Sequence, residues 1–423
     1  MRHSWKKLLV AVFVLLLVAT GCSSGTSGGD GGSGDGKVNL RVLVWGNGPA
    51  ELKGEEEIYA QFMEDHPEIN VDLVSAPYDK VMEKFVSMTA GGDQPDVIWM
   101  QPIYFAEFAE KGMFMDLGPM LEEEGLTADD WLPKAFEMGQ YDDTQYALPR
   151  DIITHHIVYN KDMFDAAGVE YPQADWTWDD LLEKAQQLTI EEGDRTSQYG
   201  FSSYYWKEAL YQNGTVPFNR DGTEVLIDSP EAIEAIEWVA DLSLEHGVAP
   251  TPTENQGMGD LFLAGKAAMA FAGPWNWRAY DEEGKFAWDI QEVPAGQAGN
   301  KSELLGLPVS IGADTENPEA AWTLLKWLTH GGGQDIQSDI VGAYPTVPRA
   351  QENFSNGTYA PDNVEAVHIA MEENTVLPPL FVKQAEVENM IQPVMDQIMA
   401  GKVTPAEALP ELADKMRAEL GIE

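Results

Sequence analysis

The apolar residues of this chain switch repeatedly between two periods. "VNLRVLVWGNGPAE" (residues 38–51) opens with a β-rich run and breaks at Gly46-Asn47-Gly48-Pro49. A segment with Ile58, Phe62 and Met63 at helical spacing follows and stops at His66-Pro67-Glu68. Residues 69–77 alternate through Val71 and Leu73 and read as a strand, "KVMEKFVSMTAGG" reads as a helix stopped by Gly91-Gly92, and "DVIWM" is a short strand between prolines. Strand, helix, strand, helix, strand predicts an α/β fold with a mostly parallel sheet.

Later helices carry start signals. Ser229 precedes Pro230, with Ile233, Ile236 and Val239 in helical register, and Asn317-Pro318-Glu319 precedes "AAWTLLKWL". Thr177 with Asp180, and Thr404 with Glu407, have capping-box spacing. Each places a hydroxyl or amide where unpaired N–H groups need an acceptor. These signals fix architecture and say nothing of function. No internal repeat of solenoid length is present.

The N-terminus follows a different pattern. Arg2, Lys6 and Lys7 precede an apolar run from Leu8 to Ala19, and small residues lead to Cys22, the layout of a signal peptide over residues 1–21. The run is shorter than the ~20 apolar residues of a membrane span. Cys22 is the sole cysteine, so it cannot form an internal disulfide. Its position resembles a bacterial lipobox, in which the cysteine is lipidated, although Ala19 stands where leucine is usual. Ordinary secretion with an unused thiol is the other reading. Residues 23–36, "SSGTSGGDGGSGDG", hold no apolar residue and read with Cys22 as a flexible tether. The folded part begins near Lys37 and is long enough for two or three lobes.

Composition narrows the partners. Acidic residues number 71 against 26 basic ones, a formal charge of −45. That excess argues against nucleic acid and against adhesion to anionic membrane by charge. A hydrophobic fraction of 44% with 13 tryptophans argues for a packed protein over a disordered one. Acidity of this degree fits a saline or alkaline habitat, and a halophile is the expectation it raises.

Enzyme signatures are missing. The sequence has no G-x-x-x-x-G-K-[ST] phosphate loop and no H-E-x-x-H, and G-x-S-x-G occurs only at residues 21–25 and 25–29, in a Gly/Ser run that predicts neither the strand nor the helix of a nucleophile elbow. Neighbouring His155 and His156 in a strand point to opposite faces, a poor start for a metal site. Carboxylates are so abundant that a glycosidase-like pair carries no weight. Residues 219–222 in "PFNRDGTEVLID" read as a hairpin turn, because Pro217 would fill the first ligand position of a calcium loop. No cofactor and no metal are expected.

Several segments carry a family resemblance: "PDVIWMQPIYFAEFAEKGMFMDL", "QNGTVPFNRDGTEVLIDSPEAIEAIEWVADL", "NPEAAWTLLKWLT", and above all "YNKDMFDAAGV" followed by "TWDDLLEKA" and "GKAAM…GPW". Together they resemble the family 1 extracellular solute-binding proteins, the maltose-binding-protein-like receptors of ABC importers, from about Val38 to the C-terminus. The resemblance implies a type II periplasmic-binding-protein-like fold: two α/β lobes, discontinuous in sequence, joined by hinge segments and holding ligand in the cleft. "YALPRDI" (146–152), "LLGLPVSIGA" (304–313) and "AYPTVPRA" (343–350) are short, β-like and proline-marked, as crossing segments would be. The expected N-terminal lobe is 37–148 plus 308–344, and the C-terminal lobe 149–307 plus 345–423. The implied function is that of a non-enzymatic, monomeric, lipid-anchored extracytoplasmic receptor. It would bind a carbohydrate ligand, expected to be an oligosaccharide, and pass it to ABC permease subunits. A receptor for glycerol-3-phosphate or another small solute, a secreted carbohydrate-active enzyme and a surface sensor are the alternatives.

Ligands of open α/β sheets lie outside the carboxyl ends of strands. "FAGPWNWRAY" (271–280) marks such an end at Gly273-Pro274, which would set Trp275 and Trp277 on a loop at the cleft mouth with Asn276 between them. Indole faces cover the C–H patches of sugar rings while polar side chains bind the hydroxyl rim. In the resembling family the tryptophan after Gly-Pro stacks on sugar, which carries over to Trp275. For Trp277 a core position stays equally open. Similar aromatic–polar mixtures at strand ends nominate Trp45, Asn47, Tyr78, Gln101, Tyr104, Tyr205, Trp206 and Asn213. Asp151 on the first crossing either faces ligand or pairs with Arg150. Tyr344 opens the last crossing, and Phe381 follows the rigid "LPPL".

Overall fold

The computed structural model describes residues 36–46, 49–193 and 195–422. The expected signal peptide, Cys22, the tether up to residue 35 and Asn47 lie outside the described residues. Two five-stranded sheets organise the rest. In chain order the strands are β1 (Val38–Trp45), β2 (Ile69–Ala76), β3 (Val97–Trp99), β4 (Ala147–Ile153), β5 (His156–Asn160), β6 (Ile190–Glu192), β7 (Arg195–Phe201), β8 (Ala267–Ala272), β9 (Trp288–Glu292) and β10 (Leu305–Ile311). The first sheet runs β2-β1-β3-β10-β4 and the second β9-β5-β8-β7-β6.

Period-two alternation explains how each sheet buries both faces. From β1, Leu40, Val42 and Val44 enter one cluster with Ile58 and Phe62, while Leu43 enters another with Phe85 and Phe105. From β5, Ile157 and Tyr159 face a cluster with Phe164 and Phe201, and Val158 faces one with Phe262 and Trp277. Each lobe is therefore a sheet covered by helices on both sides.

The sheets are mixed, which corrects the expectation of a mostly parallel one. β1 pairs in parallel with β2 and β3, and β8 with β7. The pairs of β10 with β3 and β4, of β5 with β8 and β9, and of β6 with β7 are antiparallel. In the first sheet the reason is topological: β10 arrives from the other lobe without a helical crossover, so it enters against the direction of β3.

The three proline-marked segments lie side by side. β4 and β10 pair from Ile153 opposite Leu305 to Ala147 opposite Ser310, with a register shift between Gly306 and Pro308. Asp151 bridges Pro345, and the Thr346 hydroxyl donates to the Pro149 carbonyl at 2.9 Å. Only Thr154 and His155 separate β4 of the first sheet from β5 of the second. The Arg150 side chain is buried against the helix and strand of the first sheet, 2.9 Å from Glu55 and 4.7 Å over the Trp99 ring. Gln334 and Gln337 donate to its carbonyl at 2.7 and 3.0 Å.

Helix starts follow the hydroxyl signals with one exception. Ser229, Thr177 and Thr404 cap as their spacing predicts, and Thr251 with Glu254 does the same at a shorter helix. The Asn317 side chain makes no cap bond; its backbone N–H donates to the Thr315 hydroxyl at 3.1 Å. Residues 219–222 form the expected turn, with the Gly222 N–H donating to the Asn219 carbonyl at 3.1 Å.

Candidate functional site

Trp275 and Trp277 begin a helix and do not sit on a loop. The helix Pro274–Glu283 starts directly after Gly273, with proline in its first turn. Residues two apart on a helix point nearly opposite ways. Trp275 accordingly stands 54% exposed, while Trp277 is buried against Phe354 and Trp288. The Trp275 indole folds back over Gly273, where a Cβ would come within 2.2 Å of its ring. That close approach is what the glycine permits.

The edge of Trp275 meets His155 at 5.9 Å, and Tyr205 and Phe271 flank the same imidazole at 5.3 and 5.2 Å. His155 Nδ1 lies 2.7 Å from the buried Glu208 carboxylate. Tyr205 immediately precedes the helix Trp206–Gln212, which carries Lys207 and Glu208 into the site. Lys207 pairs with Glu388, and its electrostatic neighbours include Glu303 and Tyr205. Burial alone would lower the Lys207 ammonium. Glu388 and Glu303 outweigh that effect and hold it charged, well above the usual lysine range. Burial likewise raises the Glu303 carboxyl, against the pull of Lys207.

Across from these groups, Tyr78 belongs to the first lobe, packing edge-on against Trp45 at 5.3 Å while Trp45 meets Trp99 at 5.1 Å. The Gln101 amide donates to the Tyr78 carbonyl. The Tyr78 ring is 45% exposed, yet its dense surroundings push the hydroxyl up to about 12, with Lys207 pulling it back. The Tyr205 hydroxyl is raised in the same way and feels the same Lys207, Glu303 and Glu388. A tyrosine from each lobe thus faces one shared set of charges. Among the described residues, Tyr78, Tyr205 and Trp275 are the large aromatics that remain exposed.

The other nominated residues scatter. Trp206 is buried beside Lys207, Tyr104 stacks on Phe108, and Asn276 is half-buried one residue from Trp275. Asp151 does not form an ion pair with Arg150, whose guanidinium goes to Glu55; burial raises the Asp151 carboxyl to about 6. Asn213 is buried with its amide on the Glu231 carbonyl. Tyr344 is buried against Phe354, with its hydroxyl 3.0 Å from His368 Nδ1. Phe381 packs on Phe218 over Gly222. His156 is buried on the face opposite His155, its pKa lowered to about 3 by burial.

His155, Lys207, Glu208, Glu303 and Glu388 were not nominated from sequence. Alternation did place the two histidines on opposite faces, so one of them had to face the gap where β4 hands over to β5. The carboxylates carried no such signal.

The sequence pattern of the bacterial extracellular solute-binding protein family matches residues 45–335. An ABC substrate-binding protein of Listeria monocytogenes, solved in complex with cycloalternan, is 27% identical, with a TM-score of 0.85 over 92% of this chain and 100% of that one. Maltose-bound MalE3 of T. maritima is 24% identical, with a TM-score of 0.78 over 90% and 100%. The galactooligosaccharide-binding protein of Bacillus subtilis is 22% identical over 98% of this chain and 96% of its own.

Proposed function

The chain belongs to the bacterial extracellular solute-binding protein family, and from that membership we propose a lipid-anchored receptor that captures an oligosaccharide between its lobes for delivery to an ABC permease. One observation carries the sugar reading: the exposed aromatics Trp275, Tyr205 and Tyr78 gather around a polar floor of His155, Lys207, Glu208, Glu303 and Glu388. Flat apolar faces beside hydrogen-bonding groups match the two surfaces of a sugar ring.

Rings contributed by both lobes favour a ligand longer than one sugar unit. The cycloalternan complex and the galactooligosaccharide-binding relative support the same class. An anionic ligand such as glycerol-3-phosphate finds little to hold it. Arg150 is committed to Glu55, Arg278 to Glu282 and the Ile340 carbonyl, Arg349 to Asp335, and Lys207 in the floor to Glu388.

In this reading Tyr78, Tyr205 and Trp275 face the ligand, with Trp45, Gln101, His155 and Asn276 beside them. The lobes divide at the proline-marked crossings as 37–148 plus 308–344 and 149–307 plus 345–423. Ligand holds them closed through the contacts it gains only in that state. Cys22 carries the lipid and the tether gives the monomeric receptor reach outside the cytoplasm. No bond of the sugar is made or broken.

Calorimetry against mono- and oligosaccharides tests the proposal. Binding of an oligosaccharide, lost or strongly weakened in Trp275→Ala, is the expected result. A panel without any binder, or product release from a chromogenic glycoside, overturns it.

A further inference from the structure

His155 stands where the chain passes from the first sheet to the second, and its partners set which nitrogen of the neutral ring carries the proton. Nδ1 lies 2.7 Å from Glu208 Oε1. Glu208 is wholly buried, and its other oxygen accepts the Glu303 backbone N–H at 3.3 Å. An ionised carboxylate only accepts hydrogen bonds, so a neutral His155 ring keeps its proton on Nδ1. Nε2 is then left with a free lone pair. It has no hydrogen-bond partner among the described residues, and it does not number among the buried polar atoms cut off from solvent. Its ring is bordered by the exposed Tyr205 and Trp275.

We propose that His155 Nε2 accepts a hydrogen bond from a ligand hydroxyl beside the Trp275 indole, and that Glu208 is the positioning residue that fixes the imidazole tautomer for it. The inference rests on the carbohydrate reading of this cleft and adds a polar specificity contact to it. A hydroxyl lying at the rim of a stacked sugar ring needs a partner once water is expelled. Nε2 is an acceptor held in place by a buried carboxylate, and ligand can use it without breaking any protein hydrogen bond.

Two measurements on the full chain test this. Nitrogen-edited NMR of the imidazole resonances, assigned by their loss in His155→Asn, reports the tautomer without ligand. The Nδ1–H form is expected for the neutral ring of the wild type, with a weakened preference in Glu208→Gln; an Nε2–H form, or a ring doubly protonated under the conditions in which ligand binds, overturns the proposal. Calorimetry then compares wild type, Trp275→Ala, His155→Asn and His155→Gln on maltose, mannotriose and a galactooligosaccharide. The asparagine amide can keep the bond to Glu208 but has nothing at the Nε2 position, which the glutamine amide reaches. His155→Asn is expected to weaken the tightest-binding sugar about tenfold, with His155→Gln in between. If Trp275→Ala weakens binding and His155→Asn does not, the proposal falls while the cleft reading stands. If no sugar binds, or Trp275→Ala has no effect, the cleft reading falls and takes the proposal with it.

Discussion

The guanidinium of Arg220 lies 2.7 Å from the Glu137 carboxylate. It thereby ties the turn after Phe218, in the second lobe, to the helix Pro133–Glu137 of the first. Arg220 also donates to the Pro378 carbonyl at 3.1 Å, and its own carbonyl accepts from the Leu380 N–H at 2.8 Å. Leu380 in turn packs against the first-lobe cluster of Leu43, Phe85 and Ile98. Both charged side chains are more than a third exposed, at 38% and 47%, so their pair adds little to global stability, about 0–1 kcal/mol. In the closure proposed above, a contact between the two lobes acts on that step instead. Arg220→Ala should therefore weaken ligand binding by up to about fivefold while leaving unfolding unchanged. Calorimetry at low and high salt checks this, because screening should shrink the difference. Equal affinity at low salt would remove the pair from the closure mechanism.

Gly273 offers a way to disturb Trp275 without touching the core. Its backbone is extended, with φ −128, so alanine brings no backbone strain. An added Cβ would instead collide with the Trp275 ring, 2.2 Å away. The indole is exposed and can swing aside at small cost in stability. Gly273→Ala should then behave as a binding mutant, losing affinity toward the level of Trp275→Ala with a near-normal melting temperature. Unchanged affinity would mean that the indole's resting position is irrelevant to ligand.

The local elements were legible because they rest on short-range chemistry. Alternation through Val71 and Leu73 foretold β2, Gly91 ended its helix, and prolines marked the crossings. The Trp275 and Trp277 error was also local: Gly-Pro reads as a break, but proline is equally at home in a first helical turn, and the helix then separates the two indoles. What the sequence withheld is long-range. His155 meets Glu208 across 53 residues, Arg150 meets Glu55 across 95 and Lys207 meets Glu388 across 181. In a chain with 71 acidic residues no single carboxylate stands out. Tyr344 and Phe381 show the same limit, since an aromatic after a rigid turn carries no periodicity to tell cleft from core.

Arg150 and Glu55 form the buried ion pair beneath the first crossing. With both side chains out of water, removing the Glu55 charge deprives the buried Arg150 of its ion-pair partner, at a cost of up to about 3–5 kcal/mol. Glu55→Gln should lower the urea midpoint sharply. Replacing both, as Glu55→Gln with Arg150→Met, should recover much of the loss, because an apolar side chain has no charge to desolvate. If the double variant is no better than the single one, hydrogen bonds around Glu55 matter more than the charge.

Asp151 gives the crossing a pH dependence with a definite sign. Burial is the main cause that raises its carboxyl from 3.8 to about 6, and the nearby Arg150 opposes the shift without cancelling it. A folded-state pKa above the unfolded value means that the native protein holds the proton longer. The associated stability is complete below about pH 4 and is lost as pH rises through about 6, because ionising the buried group favours the unfolded chain. Asp151→Asn cannot ionise, so it should match the wild type near pH 4 and exceed it near pH 8, as read from urea unfolding at both values. The side chain is only partly enclosed, and solvent will reduce the difference below what full burial would give. A variant less stable than wild type at high pH would show instead that the ionised carboxylate is held by favourable partners at the crossing.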